Sequence, residues 1–414
     1  MTLWLKIACR NLSRNRRRSL FTILAVGVGF AGVSLFAGFV DYIFTGLRDV
    51  QIYGRATGHL TVFKEGHELA GGRDPDAGFS ATELAAVEAV VSQQPEVAVT
   101  APGMLVSGML SNGETSSVCV GVGVSPGEVA RIRGMAPGLL GEVKYFEGEP
   151  LSEARPSGIA VCRGLMRRLD LHLGDTAVVA GPTADGQFNA VDGEIVQVFD
   201  ASGDGADRLF MMTLGQARQL RQSEGAHFVA ILLHDRAQTA AVRDRLQERL
   251  RAAGCRARVR TWEEMSEFYR RVRDMFAVIS RFIFVIVLLI AAMSVVNTIG
   301  MAVMERTREI GTLRALGMKP RGVSLLFALE SLLLGAWGSL LGGGLTLAGW
   351  LAVRLARPTW TPPQVSVPVP LQIDLVPGYM LLCALGMLTL SVAAALVTCR
   401  RAAKMEVVDA LGHA

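Results

Sequence analysis

Four runs of apolar residues set the terms for this chain: 19–45, 275–304, 321–353 and 376–399. A helix of about 20 residues crosses the hydrocarbon core of a bilayer, so each run is long enough to span it. No water is available there to satisfy backbone N–H and C=O groups, so a helix is the conformation open to a single crossing segment. The second run carries Arg281 near its start and the third carries Glu330; the other two are free of charge through their centres. Half of the 414 residues are apolar and the mean hydropathy is +0.36, too greasy for an ordinary soluble protein. The first run follows a basic segment, as a secretory signal would. Its apolar core is longer than the 7–15 residues usual in signals and no small-x-small cleavage site follows, so it reads as an uncleaved anchor.

Charge divides the chain into two compositions. Residues 41–275 hold 25 Lys/Arg against 31 Asp/Glu, whereas the remainder holds 17 against 6. The basic character therefore belongs to the apolar part. Lys6, Arg10, Arg14, Arg16, Arg17 and Arg18 precede the first run. Arg306, Arg308, Arg314, Lys319 and Arg321 separate the second from the third, and Arg400, Arg401 and Lys404 follow the fourth. Cations near span ends mark the cytoplasmic side, which predicts both termini inside and the block 46–274 outside, together with the Pro-rich loop 354–375.

The expected fold class is an α-helical membrane protein with four transmembrane helices and a large extracytoplasmic mixed α/β domain between helices 1 and 2. Residues 1–18 form a cytoplasmic or interfacial amphipathic helix, since Leu3, Trp4, Ile7 and Leu12 recur at helical spacing, with the apolar side expected in the headgroup layer. Within the external block, residues 57–64 and 116–124 alternate like strands, and Ser80 with Glu83 forms the start of a capped helix. A short helix leading into a Gly-Asp turn is expected over 163–175, and helices at 214–222 and 238–253, with strands near 177–180, 194–199 and 228–233. Two substructures separated by a gap near 139–156 are plausible.

Searches for enzymatic chemistry return little. No GxxxxGK[ST] occurs, so the chain lacks a Walker A loop, and "GVGVSPG" (121–127) has the wrong spacing for a dinucleotide fold. "GHELAG" (66–71) lacks the second His of a zinc motif. The pairs Glu263/Glu264 and Glu147/Glu149 suit solvated faces better than acid–base roles. Six cysteines are scattered singly, three of them (Cys119, Cys162, Cys255) in the external block, which leaves at most one disulfide open there. No catalytic residue, metal or cofactor is assigned.

The segment "ERTREIGTLRALGMKP" (305–320) differs from a generic basic loop. Its propensities are helical, and Gly317 with Pro320 supplies a stop. At 100° per residue Ile310, Leu313 and Gly317 share a side with Arg306 and Arg314, while Glu305, Arg308, Glu309 and Thr312 face away. One edge can rest on the membrane domain and the other can make directed pairs with a partner.

This segment closely resembles the signature after the second transmembrane helix in the MacB/FtsX/LolC–LolE permeases of ATP-binding-cassette (ABC) systems. The similarity extends to the basic "RNLSRNRRRSLFTILAVGVGFA" entering the first run and to the closing "RRAAKMEVVDAL". "TGHLTVFKEG" and the chain length look most like the lipoprotein-releasing LolC/LolE branch. The resemblance implies a non-catalytic permease subunit of a bacterial inner membrane, with the large domain in the periplasm. Residues 305–320 would be the coupling helix, seated in a separate cytoplasmic ATPase that carries ATP and Mg. By position in the motif Glu309 would face the ATPase, with Arg306, Arg308 and Arg314 as supporting contacts and Glu305, Leu313 and Gly317 completing the coupling set. Its work would be extraction of a lipoprotein or other amphipathic cargo. FtsX-like signalling to a cell-wall hydrolase and MacB-like efflux with an adaptor are the alternatives, and no nucleic-acid partner is expected.

Four spans are few for a transporter, so a second permease subunit is expected. Small residues at Gly27 and Ala31 in the first run and at Gly338 and Gly342 in the third are candidates for dimer packing. Glu330, costly in hydrocarbon, should face a protein or water-filled interior, with snorkelling as the alternative. Residues 400–414 complete a cytoplasmic tail.

Overall fold

The computed structural model describes residues 2–14, 16–66, 78–137, 146–200, 206–360 and 368–403. The chain separates into two compact units. One comprises Met1–Phe44, Val272–Pro358 and Pro370–Ala414, the other Thr45–Arg271 and Thr359–Val369. Parts of the "GHELAG" segment, the gap at 139–156 and the Pro-rich loop lie outside the described residues, as does most of the C-terminal tail.

The chain opens with α1 (Thr2–Arg14) and α2 (Arg16–Asp49). A π-helical turn, Val50–Gly54, ends this helical stretch, and β1 (Leu60–Lys64) follows. Helix α3 (Ala81–Ser92) begins where the sequence places its cap: Ser80 accepts from the Glu83 N–H, and the Glu83 carboxylate accepts from the Ser80 N–H. Lys64 donates to Glu83 at 2.7 Å, and with the Ser80 N–H this holds the Glu83 carboxyl below its ordinary range. Strands β2 (Val97–Ser111) and β3 (Ser116–Val124) form a hairpin, followed by α4 (Pro126–Gly134). After β4 (Phe146–Gly148) come β5 (Gly158–Cys162), α5 (Arg163–Arg168), β6 (Thr176–Pro182) and β7 (Phe188–Phe199). The remaining elements of this unit are β8 (Leu209–Thr213), α6 (Leu214–Arg221), β9 (Phe228–Leu233), α7 (Thr239–Ala252), β10 (Ala257–Thr261) and α8 (Trp262–Met265).

Among the described residues these ten strands form one mixed sheet in the order β10-β1-β9-β2-β3-β8-β5-β7-β4, with β6 paired to β2 and β7. The expected division into two substructures exists, but its boundary is a strand and not a linker. The first part of β2, Val97 to Gly103, pairs with β9, and the rest pairs with β3 and β6. Two of the unit's three apolar cores divide at that switch. Met104, Val106, Leu110, Phe210 and Met212 pack under α5 and α6, while Leu60, Val62, Ile231 and Val259 pack under α3 and α7.

The chain leaves the sheet through α9 (Glu267–Glu305), then α10 (Thr307–Ala315), α11 (Pro320–Ala356) and α12 (Pro377–Ala403). Helices α2, α9, α11 and α12 are long and apolar enough to cross a membrane. They outrun the apolar stretches that mark them: α9 starts at Glu267, well before Met275, because Arg270, Arg271 and Arg273 are good helix formers and Glu267 pairs with Arg271 one turn on. Of the apolar residues expected in the headgroup layer, Ile7 is exposed and Leu12 is partly buried. Ala8 is fully buried and Leu12 packs into the core formed by α9, α10, α11 and α12, so this side of the helix rests on protein.

The four small residues expected at a dimer contact lie inside one chain. A Cβ on Gly338 would stand 2.6 Å from the Val26 side chain, and one on Gly342 would meet Phe30 at 2.7 Å and the Gly27 carbonyl at 2.8 Å. A Cβ on Gly27 would approach the Gly338 carbonyl to 3.1 Å, and Ala31 is buried beside Phe30 in sequence. The glycines let α2 and α11 touch backbone to backbone, so dispersion contacts gather where no hydrophobic driving force operates. Gly342→Val is expected to lower the Tm of the detergent-solubilised chain, a loss on the order of 1–3 kcal/mol, with an unchanged oligomeric state. A shifted oligomer at constant Tm would return these glycines to a dimer contact.

In the sheet unit His59 is buried, its Nδ1 accepting from the Leu233 N–H at 3.0 Å. Burial, then the neighbouring Arg48 and Arg236, push its pKa from 6.5 down to about 4. The folded state thus favours neutral imidazole, and this contribution is complete above about pH 6.5 and lost as pH falls through about 4. Over that window the wild type should lose on the order of 3 kcal/mol from this group. His59→Asn, which keeps an acceptor, should show a flatter dependence of Tm on pH between 7 and 4; identical slopes would remove His59 as the cause.

Candidate functional site

Helix α9 stops at Glu305 because Arg306 leaves helical geometry (φ −110°, ψ 17°), and α10 starts one residue later at Thr307. The expected coupling helix is therefore shorter at its start, and Glu305 belongs to the end of α9. Its other end is built as the glycine suggests. Gly317 adopts φ +95°, its N–H donates to the Arg314 carbonyl, and the Met318 N–H donates to the Leu313 carbonyl. Those two bonds satisfy carbonyls that a helix end leaves open, and Met318 packs into the core beneath. Lys319 is extended and Pro320 occupies the first turn of α11, where its missing N–H costs nothing.

Beneath α10 lies a buried ion pair. Arg306 Nη1 donates to Glu330 Oε1 at 3.0 Å, and the Asn11 side chain donates to the same oxygen at 2.5 Å. Arg306 Nη2 also reaches the Asn11 carbonyl at 3.4 Å. The two charged side chains are 7% and 4% exposed. Glu330 therefore faces protein, as one of its two expected environments, and does not snorkel. Arg306, expected as a supporting contact for a partner, is withdrawn from the surface: a guanidinium at the α9–α10 break is drawn inward by the carboxylate of α11. Asn11 was not singled out by the sequence, since a lone amide in a basic segment carries no pattern.

A second tier of charge sits above. Arg14 donates from Nη1 and Nη2 to Glu309 Oε1 at 3.2 and 3.1 Å, and Arg18 donates to Glu305 at 3.1 Å. The Arg14 and Glu309 side chains are 65% and 53% exposed, so this pair contributes only about 0–1 kcal/mol. Ile310 and Gly311 are buried, Leu313 and Arg314 are partly buried, and Arg308, Glu309, Thr312 and Leu316 are exposed. Leu316, at 81% exposure, follows Arg308 and Thr312 at four-residue spacing. An apolar residue on an exposed side has no place in the buried-face periodicity that makes a helix legible in sequence.

No group of three His, Cys, Asp or Glu side chains among the described residues is placed to hold a metal ion. All six cysteines are free. Cys119 on β3 and Cys162 on β5 have β8 between them, so their backbones stand about two strand spacings, roughly 9.5 Å, apart, beyond disulfide reach. Burial pushes the Cys119 thiol up to about 12, which makes it unreactive.

Residues 19–249 match the MacB-like periplasmic core domain, and residues 281–407 match the FtsX-like permease C-terminal domain. The chain belongs to the MacB/FtsX-like permease family. Curated relatives of this permease include the ABC transporter permease YtrF of Bacillus subtilis (strain 168), 36% identical over 77 residues, which are 19% of this chain and 18% of the relative. An uncharacterized ABC transporter permease of Methanocaldococcus jannaschii, MJ0797, is 43% identical over 53 residues, 13% of this chain and 14% of the relative. The permease thus aligns with less than a fifth of the length of either. Similar solved structures include the periplasmic region of MacB from Actinobacillus actinomycetemcomitans, at 12% identity and a TM-score of 0.37, covering 51% of this chain and 92% of that one. The extracellular domain of the ABC-type transporter YknZ from Gram-positive bacteria shows 11% identity and a TM-score of 0.33, covering 49% and 99%.

Removing one partner of the Arg306–Glu330 pair leaves a buried charge without its counterion. Glu330→Ala or Arg306→Ala is expected to cost about 3–5 kcal/mol of stability, whereas the joint change Arg306→Met/Glu330→Leu should recover most of it. Thermal unfolding in detergent measures this; equal losses for single and joint variants would deny the pair its role.

Proposed function

We propose that this permease is the non-catalytic subunit of an ABC complex of a bacterial inner membrane, driven by a separate cytoplasmic ATPase that carries ATP and Mg. The observation carrying this reading is α10, whose two ends are fixed and whose outward side is exposed to solvent. Ile310, Gly311 and Met318 anchor it to the helical unit, and Arg308, Glu309, Thr312 and Leu316 form its outward side. A charged, apolar-tipped helix of this kind suits a groove in a second protein: Leu316 supplies buried area and Glu309 a directed ion pair. Because α10 is joined to α9 and α11 through the single residue Arg306 and the tight Gly317 turn, movement of the ATPase would be passed directly into two spans. A second copy or a related permease completes the complex, with both termini cytoplasmic and the sheet unit in the periplasm.

The work performed is extraction or expulsion of an amphipathic cargo, a lipoprotein or lipid-like molecule, on the outer side. Support for that finer reading comes from the LolC/LolE-like "TGHLTVFKEG" segment. To test it, the chain is co-expressed with each ABC ATPase of the source genome in turn, and the complex that forms is reconstituted with fluorescent lipoprotein. Glu309→Lys should abolish cargo release or uncouple it from ATP turnover while leaving permease self-association intact. Unchanged release by that variant refutes the coupling role, and a stable cell-wall hydrolase complex in place of cargo would move the permease to the signalling class.

A further inference from the structure

Helix α1 and the first turn of α2 are tied to the α9–α10 junction at three depths. Asn11 and Arg306 meet on Glu330 in the interior, Arg18 holds Glu305 at the margin, and Arg14 holds Glu309 at the surface. A segment fastened at the buried level cannot move away from α10 without exposing the Arg306–Glu330 pair. The two helices therefore present one surface. Lys6, Arg10 and Arg14 recur every four residues along the exposed side of α1, opposite the Ala8 and Leu12 side that rests on protein, and the last of them reaches Glu309.

The Arg14–Glu309 geometry is asymmetric. Both guanidinium nitrogens converge on Oε1, at 3.2 and 3.1 Å. A carboxylate has two oxygens and can accept from two cations at once. Held by Oε1, the side chain of Glu309 is biased toward one rotamer while Oε2 takes no hydrogen bond from another described residue, which lowers the ordering cost of a second ion pair. From this geometry we infer that the ATPase docks on a two-helix face, in which Arg14 of α1 orients Glu309 of α10 so that Oε2 receives a basic side chain from the ATPase cleft. Arg14 is then a positioning residue for the docking contact and α1 is part of the interface. This rests on the functional reading above and adds to it the participation of α1 and the basic chemistry of the partner's contact.

The test uses the permease in nanodiscs and, as the probe, the ABC ATPase that co-purifies with it, with affinity measured for wild type, R14Q, E309Q and the double variant. R14Q should weaken binding about three- to fivefold, R14K should restore part of the loss, and R14Q should have no further effect once Glu309 is Gln. Matching Tm values for wild type and R14Q separate positioning from folding, since Arg14 is exposed. Tighter binding by R14Q would mean that Arg14 competes with the partner for Glu309, and losses that simply add in the double variant would mean that the two residues act separately; either outcome overturns the inference. If the wild type fails to bind the ATPase, the functional reading itself falls, and the inference falls with it. If it binds and R14Q binds equally, only the inference falls.

Discussion

The carboxylate of Glu330 receives hydrogen bonds from α1 and from the α9–α10 break while belonging to α11. A charge at that depth is costly in isolation, because taking it out of water forfeits its hydration. Its position is tolerated only while Arg306 and Asn11 are both in place, so one carboxylate fixes where three segments meet. This explains why α9 breaks at Arg306: a continued helix would carry that guanidinium past the residue that neutralises it. The break in turn separates α10 from α9 and gives the junction its angle. Hydrophobic packing around Ile310, Val323 and Phe327 stabilises the same junction but is less directional and would tolerate other orientations.

The apolar helices are joined by a different principle. In a bilayer, lipid tails would compete equally well for leucine side chains, so close helix contact there would come from shape and not from escape from water. Gly27, Gly338 and Gly342 supply the shape for α2 against α11, and the Thr22 and Thr298 hydroxyls meet at 2.5 Å between α2 and α9. The exposed side of α9, with Phe282, Leu289 and Met293, carries the bulky residues that suit acyl chains. Small residues gather at contacts within the chain, and large ones remain on the outside.

Much of this was legible in the sequence because its signals are local. The capping pair Ser80/Glu83, the alternation in 116–124 and the Gly317 stop each specify their own neighbourhood through bonds only a few residues long. Pairing across the chain was not legible. Glu309 announced itself as a surface carboxylate, but its bond to Arg14 spans 295 positions, and nothing in a basic N-terminal run states which cation will meet it. The small residues of the first and third runs were recognised as packing surfaces and assigned to the wrong partner, since a motif for close approach is the same within a chain as between chains. The boundary on β2 was hidden for a related reason: a strand that changes partners halfway has no compositional mark at the change.

The depth of each ion pair at the junction decides what it can do. The Arg306–Glu330 pair, nearly inaccessible to solvent, is poorly screened by salt and cannot exchange partners without passing through a state with an unpaired buried charge. It behaves as a fixed joint. The Arg14–Glu309 pair is hydrated and screened, and its small net strength lets a new partner add to it or replace it with little penalty. A surface made of such contacts can be engaged and released repeatedly, provided the layer beneath does not loosen with each cycle. Glu330 meets that condition because both α1 and the start of α10 are held by the same oxygen atom, so whatever pulls on the exposed side of α10 is resisted by a bond that solvent does not reach.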